Sequence, residues 1–303
     1  MALPPYATPL ERAWRATYIS ICVAVFIFLI APILIIMPLS FNAEPYFTFT
    51  SEMLSLDPEG YSTRWYENIL TFGMAAPETA QGASWWADAW QNSQWIHAAK
   101  NSAIVGVFST ILATLLGTIA ALGLSRPEMP YRRLIMGILI SPMIVPLIIT
   151  ATGMFFFYSS AGLAGTFPGI IMAHAVLGIP FVIITVTATL TGFDTSLTRA
   201  AANMGADPVT TFRRVTLPLI LPGVISGALF AFVTSFDEVV VVLFVASYDQ
   251  QTIPRQMWNG IREQISPTIL AVATVLVFFS ILLLTVIELL RRRSERLRGM
   301  SPG

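Results

Sequence analysis

Six stretches of this chain are apolar for long enough to cross a bilayer, and that limits the fold more than any other feature of the sequence. A hydrocarbon core of roughly 30 Å takes about 20 apolar residues in helix. Lipid offers no partner for backbone amides, so each stretch is expected to be a helix that satisfies its own. The stretches cover 18–39, 101–124, 134–158, 168–191, 223–246 and 267–288. The fold class expected is therefore an all-α polytopic membrane protein with six transmembrane helices. Over 303 residues, 55% hydrophobic and 11% charged, a soluble domain is excluded. The first stretch is about twice a signal-peptide core and no small-residue cleavage site follows it before Asn42, so it is expected to stay in the protein. The one cysteine, Cys22, lies inside that stretch and cannot build a disulfide framework.

What the chain lacks narrows its chemistry. Lys100 is its sole lysine and no GxxxxGK[ST] surrounds it, so it has no P-loop of its own. There is no zinc-type Cys/His spacing, and neither a resident metal nor a nucleic-acid partner is expected. Orientation follows from the cations. With the N-terminus inside, only Arg64, Lys100, Arg255 and Arg262 of the 17 Lys and Arg fall in outward pieces. The inward pieces hold Arg12 and Arg15, Arg126, Arg132 and Arg133, Arg199, Arg213 and Arg214, and the five arginines after residue 290. The bias places both termini in the cytoplasm. Three regions are expected: 1–100, with the first span and a long outer segment; a core over 101–290; and a basic tail over 291–303. The outer segment is acidic and holds Trp65, Trp85, Trp86, Trp90 and Trp95. Its run SWWADAWQNSQWIHAA is either a helix along the outer interface or a surface for a soluble binding protein. The second span is expected to be capped by Asn101 or Ser102, and the fourth to be kinked at Pro180.

Between the fourth and fifth stretches lies a polar island, 194–222. Asp194, Thr195 or Ser196 can cap a first short helix, LTRAAANM. Gly205 supplies a stop that tolerates the left-handed conformation. Asp207 can cap a second helix with Pro208 in its first turn, and that helix is expected to halt at Pro218. The product is a helix–Gly–helix elbow at the cytoplasmic face, carrying Arg199, Arg213 and Arg214. It resembles the coupling loop of the permease subunits of bacterial ABC importers: Ala200, Ala201, Gly205, Val215, Leu217 and Pro218 fall at that family's spacings. Arg199 stands where the family has Glu. The resemblance implies an elbow that docks on a cytoplasmic ABC ATPase dimer, with ATP and Mg bound by that partner and this chain non-catalytic. It also implies the bacterial inner membrane as the location, a second homologous permease subunit and a periplasmic solute-binding protein.

The fifth stretch carries Ser235, Phe236, Asp237 and Glu238 deep in an apolar run. An unpaired charge at mid-membrane costs about 2.5–3.5 kcal/mol on insertion scales. Each carboxylate must therefore line a water-filled substrate path, where it would favour a cationic solute, or be hydrogen-bonded across a helix interface. His174, inside the fourth stretch, is either bonded to a neighbouring helix or part of a proton relay. SFDEVVVVLF, with TRWYENIL and ATLLGTIAALGLSR, is similar to the second permease subunit of spermidine/putrescine-type importers. That resemblance implies a polyamine or related small amine as substrate. Two other readings stay open: an importer permease for another small organic solute, and a secondary transporter with Asp237, Glu238 or His174 as its ion relay. The absence of an internal repeat argues against the last.

Overall fold

A computed structural model describes residues 8–126, 128–263 and 266–297; Arg298 and the rest of the tail lie outside them. Regular structure among the described residues is helical. In chain order the helices are α1 (Pro9–Leu39), α2 (Ser51–Leu54), α3 (Arg64–Thr71), α4 (Ala83–Asn92), α5 (Gln94–Leu124), α6 (Arg132–Ile140) and α7 (Leu147–Ser160). They continue as α8 (Phe167–Thr191), α9 (Ser196–Asn203), α10 (Pro208–Thr211), α11 (Leu217–Asp237), α12 (Val240–Val245), α13 (Ile253–Glu263) and α14 (Thr268–Leu297). Four helices are long and apolar enough to cross a membrane: α1, α5, α8 and the continuous run from Pro208 to Asp237. The pair α6–α7 makes a fifth candidate if it counts as one broken span, and α14 carries a shorter apolar stretch, Thr268–Leu282.

The chain forms two compact units, 1–74 with 260–303, and 75–259. In the first, α1 opens with a capping box. The Thr8 hydroxyl accepts the Glu11 amide at 3.3 Å and the Glu11 carboxylate accepts the Thr8 amide at 2.8 Å. Those reciprocal bonds satisfy two end donors and start the helix nine residues before the apolar window. None of the most apolar 18 residues of α1 is buried within the chain. Helix α14 begins against α3, where the Thr268 hydroxyl donates to Asn68 Oδ1 at 2.9 Å.

The second unit is built on α5, α8 and α11, packed through small residues. A Cβ added at Gly178 would sit 2.9 Å from Ala231 Cβ and 3.2 Å from Ala113 Cβ; one at Gly117 would sit 2.7 Å from Val182 Cβ. One at Gly227 would meet Thr185 Oγ1 at 2.5 Å. Lipid is as apolar as leucine, so close backbone approach at such positions, rather than exclusion from water, holds membrane helices together. The pairs fix direction as well: 113 meets 178 and 117 meets 182, so α5 and α8 run parallel. Gly227 against Thr185 and Ala231 against Gly178 make α11 antiparallel to α8. The end of α5 at Leu124, with Arg126 just beyond it, and the 192–216 connection therefore share one end of this bundle.

Four expectations are corrected here. Ser93, not Asn101 or Ser102, caps the second apolar helix by accepting the Ile96 amide at 3.4 Å. Asn101 and Ser102 lie two turns inside. The Asn101 side chain donates to the carbonyls of Asp249 and Gln251 at 2.8 and 2.9 Å, and the Ser102 hydroxyl accepts the Ile253 amide at 2.8 Å. The third stretch does not run straight over 134–158. It bends by 98° between α6 and α7, where Pro142 and Pro146 each lack an amide and disfavour helix in the residue before them. The fifth ends at Asp237 instead of continuing to 246. The second limb of the elbow does not halt at Pro218. Its helix passes through a single π turn, Phe212–Thr216, in which the Leu217 amide reaches back to the Phe212 carbonyl, and continues into α11. The widened turn lets the chain pass the proline without the usual clash against the carbonyl four residues back. Helix α8 runs through Pro180 without interruption.

Candidate functional site

The elbow is assembled by local chemistry. The Asp194 carboxylate accepts the Ser196 amide at 2.8 Å and the Ser196 hydroxyl at 2.7 Å, opening α9. At the other end Gly205 has φ +82°. Its amide donates to the Ala202 carbonyl at 2.9 Å, while the Ala206 amide donates to the Ala201 carbonyl at 3.0 Å. That pair of bonds is a Schellman motif with Gly205 at the left-handed position. The spacing from Ala201 to Gly205 is therefore the spacing of a helix stop. One residue beyond Ala206, Asp207 caps α10 by accepting the Val209 and Thr210 amides, both at 2.9 Å, and the Thr210 hydroxyl at 2.7 Å. The Thr210 hydroxyl and amide hold the Asp207 carboxyl below the usual carboxylate range.

Arg199, Ala200 and Gly205 are exposed on this elbow and Ala201 is buried behind it. Nothing lies within 4 Å of a Cβ built on Gly205. Met204 and Val209 flank it, 83% and 64% exposed. Val215 and Leu217 are half-buried on the second limb, with Pro218 exposed beside them. The structure thus brings Arg199, Ala200, Ala201 and Gly205 together around one turn. Val215, Leu217 and Pro218 belong to the π turn and helix that carry that turn into α11.

At the far end of α11 the helix stops. Val239 to Val242 are four successive β-branched residues, which fit a helix poorly. Glu238 becomes extended, with φ −74° and ψ 124°, and its carboxylate accepts the Val241 amide at 2.8 Å. Glu238 is buried and serves as a local cap for α12, a bond within its own segment instead of the bond across a helix interface that the sequence suggested. The other end of α12 is closed as fully. Arg255 Nη1 donates to the carbonyls of Val242 and Ala246 at 2.7 and 3.1 Å, and the Gly165 amide donates to Val245 at 2.7 Å. A short helix buried in an apolar setting needs both ends satisfied, and these three residues do it. Val241 and Val245 then pack on Ala151 and Tyr158 of α7 and Ile170 and Ala173 of α8.

Asp237 is exposed at this break, one residue from the buried Glu238. Phe236 stacks on Phe232 with ring centroids 5.6 Å apart. Ser235 is buried and joins three helices: Ser109 Oγ of α5 donates to Ser235 Oγ at 2.8 Å, and His174 Nδ1 of α8 lies 2.9 Å from the same oxygen. His174 is therefore bonded to a neighbouring helix. Its Nε2 has no hydrogen-bond partner among the described residues. Sequence reasoning missed Arg255, Asn101, Ser102 and Ser109. Arg255 lies in the polar run TIPRQMWNGIREQ, and the others pair with residues more than a hundred positions away.

The chain is 29% identical over 271 residues to the spermidine/putrescine transport system permease protein PotC of Haemophilus influenzae, covering 89% of this chain and 95% of that one. It is 28% identical over 276 residues to the putrescine transport system permease protein PotI of Escherichia coli, covering 88% and 87%. Among solved structures it matches a chain of a bacterial ABC transporter involved in import of the acidic polysaccharide alginate. There the TM-score is 0.70 at 15% identity, over 94% of this chain and 99% of that one, a likeness that speaks to fold alone. The family model for the inner membrane component of binding-protein-dependent transport systems matches residues 113–298, well over half the chain and all of the elbow and the α11 break. The protein belongs to that family of multi-pass inner-membrane permeases.

Proposed function

We propose that this chain is the non-catalytic permease subunit of an ATP-driven polyamine importer. In this reading it crosses the membrane six times, with α1, α5, the broken pair α6–α7, α8, α11 and α14 as the spans and both termini in the cytoplasm. The cation asymmetry supports that orientation. So does the exposure of Arg126, Arg132, Arg133, Arg199, Arg213 and Arg214, which belong to the two connections at one end of the α5–α8–α11 bundle. The elbow docks on a cytoplasmic ATPase dimer that binds ATP and Mg. Closure of that dimer moves α11 directly, because the second limb of the elbow and α11 are one continuous helix from Pro208 to Asp237. A second permease completes the path, and a loaded periplasmic binding protein delivers solute to the other face.

The observation that carries the substrate class is the likeness, over nearly nine-tenths of the chain, to permeases named for spermidine and putrescine. Asp237 fits it. An exposed carboxylate at the end of α11 offers a counter-charge to an ammonium group, while Glu238 is engaged in the α12 cap. A second reading, an importer for a neutral solute, is favoured by a shorter likeness, 32% identity over 146 residues, to a trehalose permease of Mycobacterium tuberculosis. Uptake of labelled putrescine and spermidine by cells with and without this chain, partner subunits present in both, separates them. Polyamine uptake that disappears with the chain, and is competed by polyamines alone, supports the first reading. Unchanged polyamine uptake leaves the importer assignment and removes the substrate.

A further inference from the structure

Helix α4 exposes an apolar stripe that the transport path does not use. Ala83, Trp86, Ala87 and Trp90 recur at the 3, 4 and 7 spacing of one helical face, and all four are exposed. Trp86 and Trp90 are 62% and 60% open. The opposite face is the one that packs. Ala89 is fully buried there, and the only charged side chain of the helix, Asp88, turns away from the stripe. Its carboxylate accepts the amides of Ala75 and Ala76 at 3.2 and 2.9 Å and the Asn92 side chain at 2.6 Å. The exposed stripe therefore has no charged group of α4; its exposed polar neighbours are Ser84 and, one turn beyond Ala87, Gln91.

Its neighbour identifies what covers it. Along α5, Ile104, Phe108, Ile111, Leu115 and Ile119 form a single exposed apolar stripe on a helix long and apolar enough to cross a membrane. Lys100 continues that stripe one turn toward the N-terminus. Its Nζ lies 4.4 Å from the centre of the Trp90 ring and donates to the Trp90 carbonyl at 2.6 Å. Trp90 thus stands at the end of the exposed apolar stripe of α5. From Ile104 to the last residue of α5, Leu124, the helix rises about 30 Å, the thickness of a hydrocarbon core. Lys100 and Trp90 lie about 6 Å beyond it, at headgroup depth. Tryptophan is enriched at that level, and a lysine there keeps its ammonium among phosphates with its stem along apolar surface.

We propose that α4 lies in the headgroup layer of a phospholipid bilayer at the N-terminal end of α5. Trp86 and Trp90 are sunk toward the acyl chains, and Lys100 reaches a lipid phosphate with a donor not used by the Trp90 carbonyl. This places a lipid anchor outside the elbow and the path, and it fixes the depth of α5 whichever solute is carried. The test uses nitroxide labels on single cysteines in a Cys22→Ser background, with the permease complex in phospholipid nanodiscs. Ala87→Cys reports the stripe and Ala83→Cys repeats the reading if the first variant expresses poorly. Phe108→Cys is the lipid standard and Gln81→Cys the water standard. Collisions with oxygen are compared with collisions with a water-soluble nickel chelate. The proposal expects the oxygen-to-chelate ratio at Ala87 to rise well above that at Gln81 toward that at Phe108, and to stay unchanged when loaded binding protein is added. A ratio equal to that at Gln81 overturns it. A water-exposed label that the binding protein then shields also overturns it, and makes the stripe a protein-docking surface.

Discussion

Replacing Gly205 separates the two demands that the elbow places on one residue. The backbone there sits at φ +82°, where a side chain costs about 1–2 kcal/mol. No atom lies within 4 Å of an added Cβ, so alanine adds no clash and its whole cost is conformational. That cost corresponds to about a 5–30-fold loss in the population of the formed turn relative to an opened one. Gly205→Ala should weaken association with the ATPase by up to that factor. Gly205→Asn should weaken it less, because asparagine tolerates the left-handed region. Gly205→Trp carries a similar backbone cost in the chain itself but fills the open space that a docked partner would occupy. It should therefore abolish both ATPase co-purification and uptake while leaving thermal unfolding in detergent close to that of Gly205→Ala. Co-purification from detergent extracts, uptake in cells and thermal unfolding are measured on all three variants. A tryptophan variant with ordinary ATPase association and ordinary uptake would refute the assignment of this surface as the docking face.

The other predictions concern the membrane-spanning unit. Glu238→Ala removes the acceptor for the Val241 amide and should lower stability by about 0.5–2 kcal/mol, the range for a lost helix cap. Glu238→Gln keeps a carbonyl oxygen in place and should unfold near the wild-type temperature, and equal loss in both variants would contradict a capping role. Ser235→Ala removes the partner of His174 Nδ1 and leaves the Ser109 hydroxyl only its longer bond to the Gly106 carbonyl at 3.3 Å, and should cost about 1–3 kcal/mol in thermal or denaturant unfolding. A double-mutant cycle with Ser109→Ala should show strong coupling, and additive losses would break the inferred three-helix link. Gly178→Ala drives a methyl group to 2.9 Å from Ala231 Cβ and should destabilise by about 1–3 kcal/mol as an overpacked core does. Gly137→Ala, whose added Cβ has nothing within 4 Å, should escape that overpacking cost; equal destabilisation of the two would contradict the close-packed α5–α8–α11 interface.

The elbow and the helices over 18–39, 101–124 and 168–191 were legible because their signals are local. Each of those apolar runs lies within one helix, and Ala201, Gly205, Asp207 and Pro208 each act on backbone groups within five residues of themselves. Where the sequence misled, a distant or cooperative term decided. Asn101 and Ser102 resemble caps, yet they are occupied by carbonyls and an amide of the 249–253 segment, which nothing in the local sequence announces. Pro218 is an ordinary helix stop until a π turn makes room for it. The break after Asp237 had a visible cause in four consecutive valines, but its stabilisation by Arg255 comes from another helix. Two prolines four residues apart, Pro142 and Pro146, marked the bend between α6 and α7 and could have been read as one. The carboxylates show the limit most clearly: Asp237 and Glu238 are adjacent and alike in the sequence, and the bond from the Val241 amide is what assigns Glu238 to the α12 cap.

The most direct test of the account is reconstitution of the purified chain in proteoliposomes, alone and with its ATPase, partner permease and binding protein, measuring ATP hydrolysis and polyamine uptake together. The account predicts neither activity from the chain alone, even with a proton or sodium gradient imposed. It predicts hydrolysis and uptake that rise together, on addition of loaded binding protein, only in the complete assembly. Gradient-driven uptake by the chain alone would contradict it and make the protein a secondary transporter.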